Sequence, residues 1–184
     1  IRDYGSGNAG MTNIARTFGK FPAILVTIGD FTKGAIALLL GHLIAMLIGG
    51  VGSFGDFPFY GEYIVAFFVM MGHCFPVFYG FRGGKGILVS AGVILILNPW
   101  ILLILLAIFL AVFLTTRIVS AGSITVAVAY PILTLIFGLV GHTSTVLWDT
   151  LMALILGGLV IFFHRANIKR LLNGTESRFG NKKK

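Results

Sequence analysis

Long apolar runs constrain this chain more than any other feature of its sequence. About 20 consecutive apolar residues span the hydrocarbon core of a bilayer, and several runs here approach or exceed that length. The chain is 57% hydrophobic and 11% charged, against about 25% charged residues in soluble domains. Because helices satisfy their own backbone polar groups in lipid, the sequence predicts an all-α integral membrane protein. We expect a single domain over residues 1–184.

Turn residues and charges divide the apolar runs into about six predicted transmembrane helices. They are Pro22 to Gly50, Gly61 to Phe78, Ile87 to Leu97, Trp100 to Thr116, Ile124 to Val140 and Val146 to Phe163. The first span contains two charges, Asp30 and Lys33. Because unpaired charges inside a membrane are expensive, we expect these two residues to pair with each other.

The sign of the charged residues differs between alternate loops. One set of loops carries every Lys and Arg apart from Lys33, whereas the other carries only Asp56, Glu62 and Asp149. Lys and Arg mark the cytoplasmic side of a membrane. The pattern predicts that both ends of this chain, and every basic or glycine-rich segment, face the cytoplasm. The net charge of +8 is then a sign of topology, and no nucleic-acid partner is expected.

Residues 5–16, GSGNAGMTNIAR, form the first polar segment. Small polar residues before a helix can direct N–H groups and hydroxyls at an anion, and an Arg can bind phosphate through two hydrogen bonds. The alternative is a helix cap on a flexible loop, with the Arg at the headgroup level. The candidate residues are Ser6, Gly7, Asn8, Thr12, Asn13 and Arg16.

Residues 72–86, GHCFPVFYGFRGGKG, form the second polar segment. Glycines let backbone N–H groups gather around an anion, so Gly83, Gly84 and Gly86 with Lys85 predict a phosphate-binding loop. No Ser or Thr follows Lys85, as the nucleotide P-loop requires, which argues against nucleotide hydrolysis. His73 is a candidate ligand or base, with a histidine held by a neighbouring helix as the alternative.

Residues 164–176, HRANIKRLLNGTE, follow the last predicted span. His164 and Asn167 share one face of a helix, which could meet the other two segments; an ordinary basic tail is the alternative. Ser120 and Ser123 are expected in a turn, where they would cap the next helix or touch substrate. No metal site is expected, because the histidines are scattered. These are His42, His73, His142 and His164.

The three segments resemble the motifs GSGNxGxTNxxR, GHxFPxFxxFxGGKG and HRxNIxRLxxGxE of the bacterial acyl-phosphate:glycerol-3-phosphate acyltransferase family, the PlsY type. The resemblance covers nearly the whole chain, in the same order. It implies a fold of seven membrane helices, the first of which we expect to be missing from this chain. It also implies transfer of a fatty acyl group from acyl phosphate to the 1-hydroxyl of glycerol 3-phosphate in the bacterial cell membrane. The products would be lysophosphatidic acid and phosphate, in the first step of phospholipid synthesis.

The resemblance carries expectations for individual residues. The N–H groups of residues 83–86 would cradle acyl phosphate, with Ser6 and Thr12 nearby. Arg16 and Lys85 would hold glycerol 3-phosphate, helped by Ser123, His164 and Asn167. Either His164 or a substrate phosphate oxygen would be the base. The catalytic candidates are Ser6, Arg16, Lys85, His164 and Asn167, and the substrate-binding candidates are Gly7, Asn8, Thr12, Asn13, His73, Gly83, Gly84, Gly86 and Ser123.

No cofactor is expected, because acyl phosphate is already activated. The expected partners are the bilayer and, through a transient contact, the soluble enzyme that makes acyl phosphate. One alternative is a transporter of a phosphorylated solute, but transporters place their sites near the bilayer midplane. Another is a non-catalytic subunit of a lipid-synthesis complex, in which this combination of polar residues would have no purpose.

Overall fold

The computed structural model describes residues 1–47, 53–54, 57–58 and 61–180, and falls into two compact units, Ile1–Pro99 and Trp100–Lys184. The single-domain expectation stays a prediction. The first unit contains α1 (Met11–Phe18), α2 (Lys20–Leu47), β1 (Ser53–Phe54), β2 (Phe57–Pro58), α3 (Glu62–Cys74), a 3₁₀ turn (Val77–Tyr79) and α4 (Ile87–Leu97). From the unit boundary onward come α5 (Pro99–Thr116), α6 (Val119–Val140), α7 (Val146–Phe163) and α8 (Arg165–Leu172). The two short strands pair antiparallel.

Five helices of the described chain are long and apolar enough to cross a membrane. Each matches one of the six predicted spans; the predicted end of the first, Gly50, and the acidic Asp56 lie outside the described residues. The third predicted span is confirmed as α4, but it has only 11 residues. Such a helix rises about 16 Å, against about 30 Å of hydrocarbon core. The predicted helical class is confirmed, with five long spans instead of six.

The fifth predicted span begins earlier than expected, at Val119. Ser120 and Ser123 were expected in the preceding turn, and this prediction is wrong, because both lie inside the first two turns of α6. Ser123 Oγ donates a hydrogen bond to the carbonyl of Val119, at 3.0 Å. Serine can satisfy its hydroxyl on its own helix in this way, so its polarity does not mark the helix end.

Helices α2 and α4 approach each other at two glycines. A Cβ placed on Gly34 would overlap the carbonyl oxygen of Val89, and one placed on Gly92 would overlap that of Phe31. Each helix therefore contributes one glycine against the backbone of the other. Small residues permit such close approach between apolar helices, and here they hold the start of α4 beside α2.

Helices α6 and α7 meet where a proline interrupts α6. Pro131 lies inside the helix and has no N–H to donate to the carbonyl of Ala127, four residues earlier. Gly157 of α7 packs against that carbonyl, and a Cβ at this glycine would lie 2.5 Å from the Ala127 oxygen. The neighbouring Gly158 is exposed, and a Cβ there would meet nothing within 4 Å.

We expect Gly157→Ala to destabilise the protein by roughly 1–3 kcal/mol, because a methyl group must be forced into an occupied contact. Gly158→Ala is the matched control, since it makes the same chemical change one residue away in open space. Thermal unfolding of both variants in the same detergent measures the difference. Equal melting temperatures for the two variants would contradict the close α6–α7 contact.

Candidate functional site

Asn13 organises the segment that precedes α1. Its side chain is 3% exposed, and its Oδ1 accepts a hydrogen bond from the N–H of Ser6 at 3.0 Å. Its Nδ2 donates to the carbonyls of Tyr4 at 2.9 Å and Asn8 at 3.0 Å. The amide of Asn13 is thus engaged by the backbone of its own loop, and its predicted substrate contact stays a prediction.

The glycines of this segment make that arrangement possible. Gly5 and Gly7 have positive φ, at 59° and 69°, and a Cβ on Gly5 would overlap Oδ1 of Asn13. Asn8 turns the chain into α1, since its Oδ1 accepts the N–H of Gly10 at 2.8 Å. An ordered loop therefore carries Ser6, which is exposed, and leads into the helix that carries Thr12 and Arg16.

Arg2 joins this first segment to the second. Its guanidinium donates from Nε at 3.2 Å and from a terminal nitrogen at 2.6 Å, both to the carbonyl of Arg82. It also lies over the ring of Tyr79, 5.0 Å from the centroid. The sequence reasoning treated Arg2 only as a loop charge, and nothing in its local sequence indicated a contact 80 residues away.

The second segment doubles back onto the end of α3. Gly83 donates its N–H to the carbonyl of Cys74 at 3.1 Å, and Gly84 donates to that of His73 at 3.2 Å. A Cβ on either glycine would overlap His73, the carbonyl oxygen for Gly83 and Nε2 for Gly84. In this structure the two glycines allow a close backbone turn, and both N–H groups are donated to α3. Their predicted role in binding a phosphate stays a prediction.

The end of this segment starts a new helix. Gly86 has a φ of +86° and is the N-cap of α4, and the half-buried Lys85 stands directly before it. The first N–H groups of a helix have no acceptor within that helix. If the predicted phosphate binds to this segment, Lys85 and the first turn of α4 are the groups that suit it.

His73 is tied to α2 through the predicted ion pair. Lys33 Nζ lies 2.6 Å from Asp30 Oδ1, which confirms the expected pairing. The same ammonium lies 2.7 Å from Nδ1 of His73. Nδ1 of His73 is therefore held by a neighbouring helix, as the alternative interpretation of this histidine expected. The predicted contact between His73 and substrate stays a prediction.

In the second unit, His164 ends α7 with a fixed ring orientation. The side chain is 4% exposed, and Nδ1 lies 2.7 Å from the carbonyl of Val160. Since a carbonyl can only accept, Nδ1 carries the proton in this contact. In a neutral ring Nε2 then holds the lone pair, which is the property required of a base.

Glu176 connects three polar side chains around the start of α8 and α6. Its carboxylate accepts from Ser120 Oγ at 2.8 Å, Asn167 Nδ2 at 2.7 Å and Arg170 Nε at 2.6 Å. Burial alone would raise the pKa of the Glu176 carboxyl, but the hydrogen bonds and the Arg170 charge hold the pKa below its usual value. The carboxylate therefore stays charged and orients Asn167.

Sequence reasoning did not name Glu176 as a site residue, and it named Ser120 only as a helix cap or a substrate contact, not as a partner of Glu176. The sequence signal that could have indicated Glu176 is the Gly-x-Glu pattern at the end of the third segment. Gly174, with a φ of +67°, turns the chain back after α8 in the way that glycine commonly ends helices. This turn returns Glu176 to Asn167.

Ser123 is buried, with its hydroxyl proton donated to its own helix. Its predicted substrate contact stays a prediction, as do the catalytic roles of Ser6, Arg16, Lys85, His164 and Asn167 and the binding roles of Gly7, Asn8, Thr12 and Gly86. The expectation that the third segment meets the other two also stays a prediction.

Comparison with known proteins gives a consistent family relationship. A family model described as glycerol-3-phosphate acyltransferase matches residues 1–174. A glycerol-3-phosphate acyltransferase of Thermoanaerobacter sp. strain X514 is 45% identical over 99% of this chain and 83% of the relative. One of Clostridioides difficile strain 630 is 42% identical over 100% of this chain and 83% of the relative.

Two similar crystal structures are those of PlsY (YgiH), described as an integral membrane glycerol 3-phosphate acyltransferase. The glycerol 3-phosphate form is 38% identical, with a TM-score of 0.78 over 97% of this chain and 82% of that one. The lysophosphatidic acid form is 37% identical, with a TM-score of 0.76 over 96% of this chain and 82% of that one.

We expect Glu176→Gln to destabilise the protein by roughly 1.5–3 kcal/mol near neutral pH, as for loss of hydrogen bonds to a charged group. Because the pKa of the folded carboxyl is lowered, its contribution is complete above the ordinary value of 4.5 and is lost as the pH falls through the folded pKa. Thermal unfolding of wild type and variant as a function of pH measures this loss.

The difference between wild type and Glu176→Gln should shrink below pH 4.5. Asp3→Asn, which changes an exposed carboxylate, is the control and should have little effect. A difference that stays constant from neutral to acid pH would show that the charge of Glu176 contributes nothing.

Proposed function

The chain belongs to the glycerol-3-phosphate acyltransferase family of integral membrane enzymes of phospholipid synthesis, and from this membership we propose that its acyl donor is acyl phosphate. The acceptor is the 1-hydroxyl of sn-glycerol 3-phosphate, and the products are lysophosphatidic acid and inorganic phosphate. The proposal is supported by the three motif segments of residues 5–16, 72–86 and 164–176. The residues 1–174 that match the family contain the first two segments and all but the last two residues of the third.

The chemistry needs no acylated enzyme. The hydroxyl oxygen of glycerol 3-phosphate attacks the acyl carbonyl carbon and forms the ester bond. The bond between that carbon and the phosphate oxygen breaks, and phosphate leaves with the electron pair. The hydroxyl proton goes to a base. Since phosphate is a good leaving group, the enzyme has to bind two anions, orient them and stabilise the developing oxyanion.

In the first unit, the observation that carries this proposal is the position of Lys85 at the start of α4. Lys85 precedes the N-cap Gly86, so its ammonium and the first turn of the helix can bind a substrate phosphate. Arg16 supplies a planar guanidinium suited to two hydrogen bonds with phosphate. Ser6 would add a hydroxyl donor from the loop that Asn13 orders, and Thr12 would add one from the first turn of α1.

In the second unit, His164 and Asn167 would act on the acceptor. The Nδ1 contact with Val160 leaves Nε2 of a neutral ring as the proton acceptor. A substrate phosphate oxygen could take the same proton, so the base is one of these two groups. Asn167, held by Glu176, would orient the substrate.

We place these groups at the cytoplasmic face of the bacterial cell membrane. The Lys and Arg residues other than Lys33 fall in one set of alternate segments between the predicted spans, which include the short helices α1 and α8. The positive side of a membrane protein is the cytoplasmic one. Acyl phosphate and glycerol 3-phosphate would then reach these groups from the cytoplasm. A transient contact with the soluble enzyme that makes acyl phosphate fits this orientation.

The test is a competition between donors in purified, lipid-reconstituted protein. Acyl phosphate, acyl-CoA and acyl-acyl carrier protein are offered with labelled glycerol 3-phosphate. We expect lysophosphatidic acid from acyl phosphate alone, with one inorganic phosphate released per product. Arg16→Lys, which keeps the charge but removes the planar fork, should raise the KM for a phosphate substrate. Product from acyl-CoA alone would overturn the proposal.

A further inference from the structure

Three polar side chains meet between α2 and α3 in the first unit. Lys33 Nζ lies 2.6 Å from Asp30 Oδ1 and 2.7 Å from His73 Nδ1, and His73 Nδ1 lies 3.5 Å from Asp30 Oδ1. With a neutral imidazole, the three side chains carry no net charge, which suits helices of apolar composition. None of the roles proposed above uses Asp30 or Lys33.

The contact with Lys33 determines which nitrogen of His73 carries the proton. An ammonium group only donates hydrogen bonds, so Nδ1 of His73 must be the acceptor. A neutral imidazole then holds its proton on Nε2. The Asp30 carboxylate stabilises the charge of Lys33, and so maintains the donor that defines this tautomer.

The opposite edge of the His73 ring lies against the glycine-rich segment. A Cβ on Gly84 would overlap Nε2 and would lie 2.6 Å from Cε1. The backbone of the same histidine accepts the N–H of Gly84 at 3.2 Å. Ring and backbone of His73 together fix the position of Gly84, and Lys85 is the next residue.

We propose that Asp30 and Lys33 are positioning residues for phosphate binding in this enzyme. Lys33, held by Asp30, fixes the tautomer and orientation of the His73 ring, and the ring supports the turn that presents Lys85 and the start of α4 to a substrate phosphate. The inference rests on the proposed function for the role of Lys85. The phosphate belongs either to acyl phosphate or to glycerol 3-phosphate, and separate KM values for the two substrates distinguish them.

A second pair between the same two helices provides a matched control. His42 Nδ1 of α2 lies 2.7 Å from Glu62 Oε1 of α3, and this pair has no contact with the glycine-rich segment in the described structure. If the Asp30–Lys33–His73 cluster only holds α2 to α3, disrupting the cluster should have the same consequences as disrupting the His42–Glu62 pair. If the cluster positions the loop, only its disruption should change phosphate binding.

The first measurement uses the wild-type protein. Nitrogen-15 NMR of ring-labelled histidine, assigned to His73 by comparison with His73→Gln, reports which ring nitrogen lacks a proton. We expect an unprotonated Nδ1 and a protonated Nε2. A proton on Nδ1 in the neutral wild-type ring would overturn the inference, whether or not any variant folds.

The second measurement compares Lys33→Met with Glu62→Gln in lipid. We expect Lys33→Met to raise the KM of one phosphate substrate by about tenfold or more, since small misplacements of binding groups have effects of this size. The same variant should lose the NMR signal of an unprotonated Nδ1 in His73. Lys33→Arg, which keeps a cationic donor, should recover part of the binding. Glu62→Gln should lower the melting temperature without changing either KM.

Unchanged KM values and an unchanged histidine signal in a folded Lys33→Met protein would overturn the positioning role. Titration of wild type and Lys33→Met with inorganic phosphate is a third measurement. Neither this titration nor the wild-type NMR result depends on the acyl donor. If acyl phosphate proves not to be a donor, while Nδ1 is unprotonated and Lys33→Met weakens inorganic phosphate binding, the proposed function fails and the positioning role stands.

Discussion

A polar group in an apolar helical frame must have a partner, because neither lipid nor a packed apolar core can provide one. Each of the three motif segments contains a polar side chain that meets this requirement by hydrogen bonding to its own surroundings. The Asn13 amide bonds to the loop before α1, the His73 ring to Lys33 of α2, and the Glu176 carboxylate to α6 and α8. These contacts hold each of the three segments in a defined conformation.

In the first two segments, this arrangement separates residues that organise the site from those proposed to act on substrate. In the third segment, His164 and Asn167 are proposed to act on substrate and are themselves buried and hydrogen-bonded. The organisers have their polar atoms engaged by the protein: Asn13 and Glu176 are nearly inaccessible, and His73 is only 10% exposed. Ser6 and Arg16 are exposed, and Lys85 is half-buried. A site built in this way has its donors in position before substrate arrives, which is the arrangement that most favours stabilisation of a developing negative charge.

Local sequence was sufficient for some features and not for others. The bounds of α4 and α7 could be predicted to the residue, because glycines, the Asn98–Pro99 pair or a change to polar residues flank the apolar runs. The Asp30–Lys33 pair follows from a spacing of three residues on a helix. The partner His73 comes from another helix, and a spacing along the chain cannot indicate it.

The sequence also could not predict the direction of backbone N–H groups in a glycine-rich segment. Gly83 and Gly84 suit either an anion cradle or a close turn, and the fold uses them for the turn. Glu176 looked like part of a charged tail until the turn at Gly174 returned it to Asn167. In each case the deciding contact joins residues whose separation is set by the tertiary fold.

Direct transfer between two phosphate-bearing substrates bound at the same time is the central claim, and initial-rate kinetics test it most directly. Rates are measured with acyl phosphate and glycerol 3-phosphate varied together in reconstituted protein. We expect double-reciprocal lines that intersect, since both anions must occupy the enzyme before the acyl group moves. Parallel lines, with phosphate released from acyl phosphate alone and an acylated protein recovered, would contradict direct transfer.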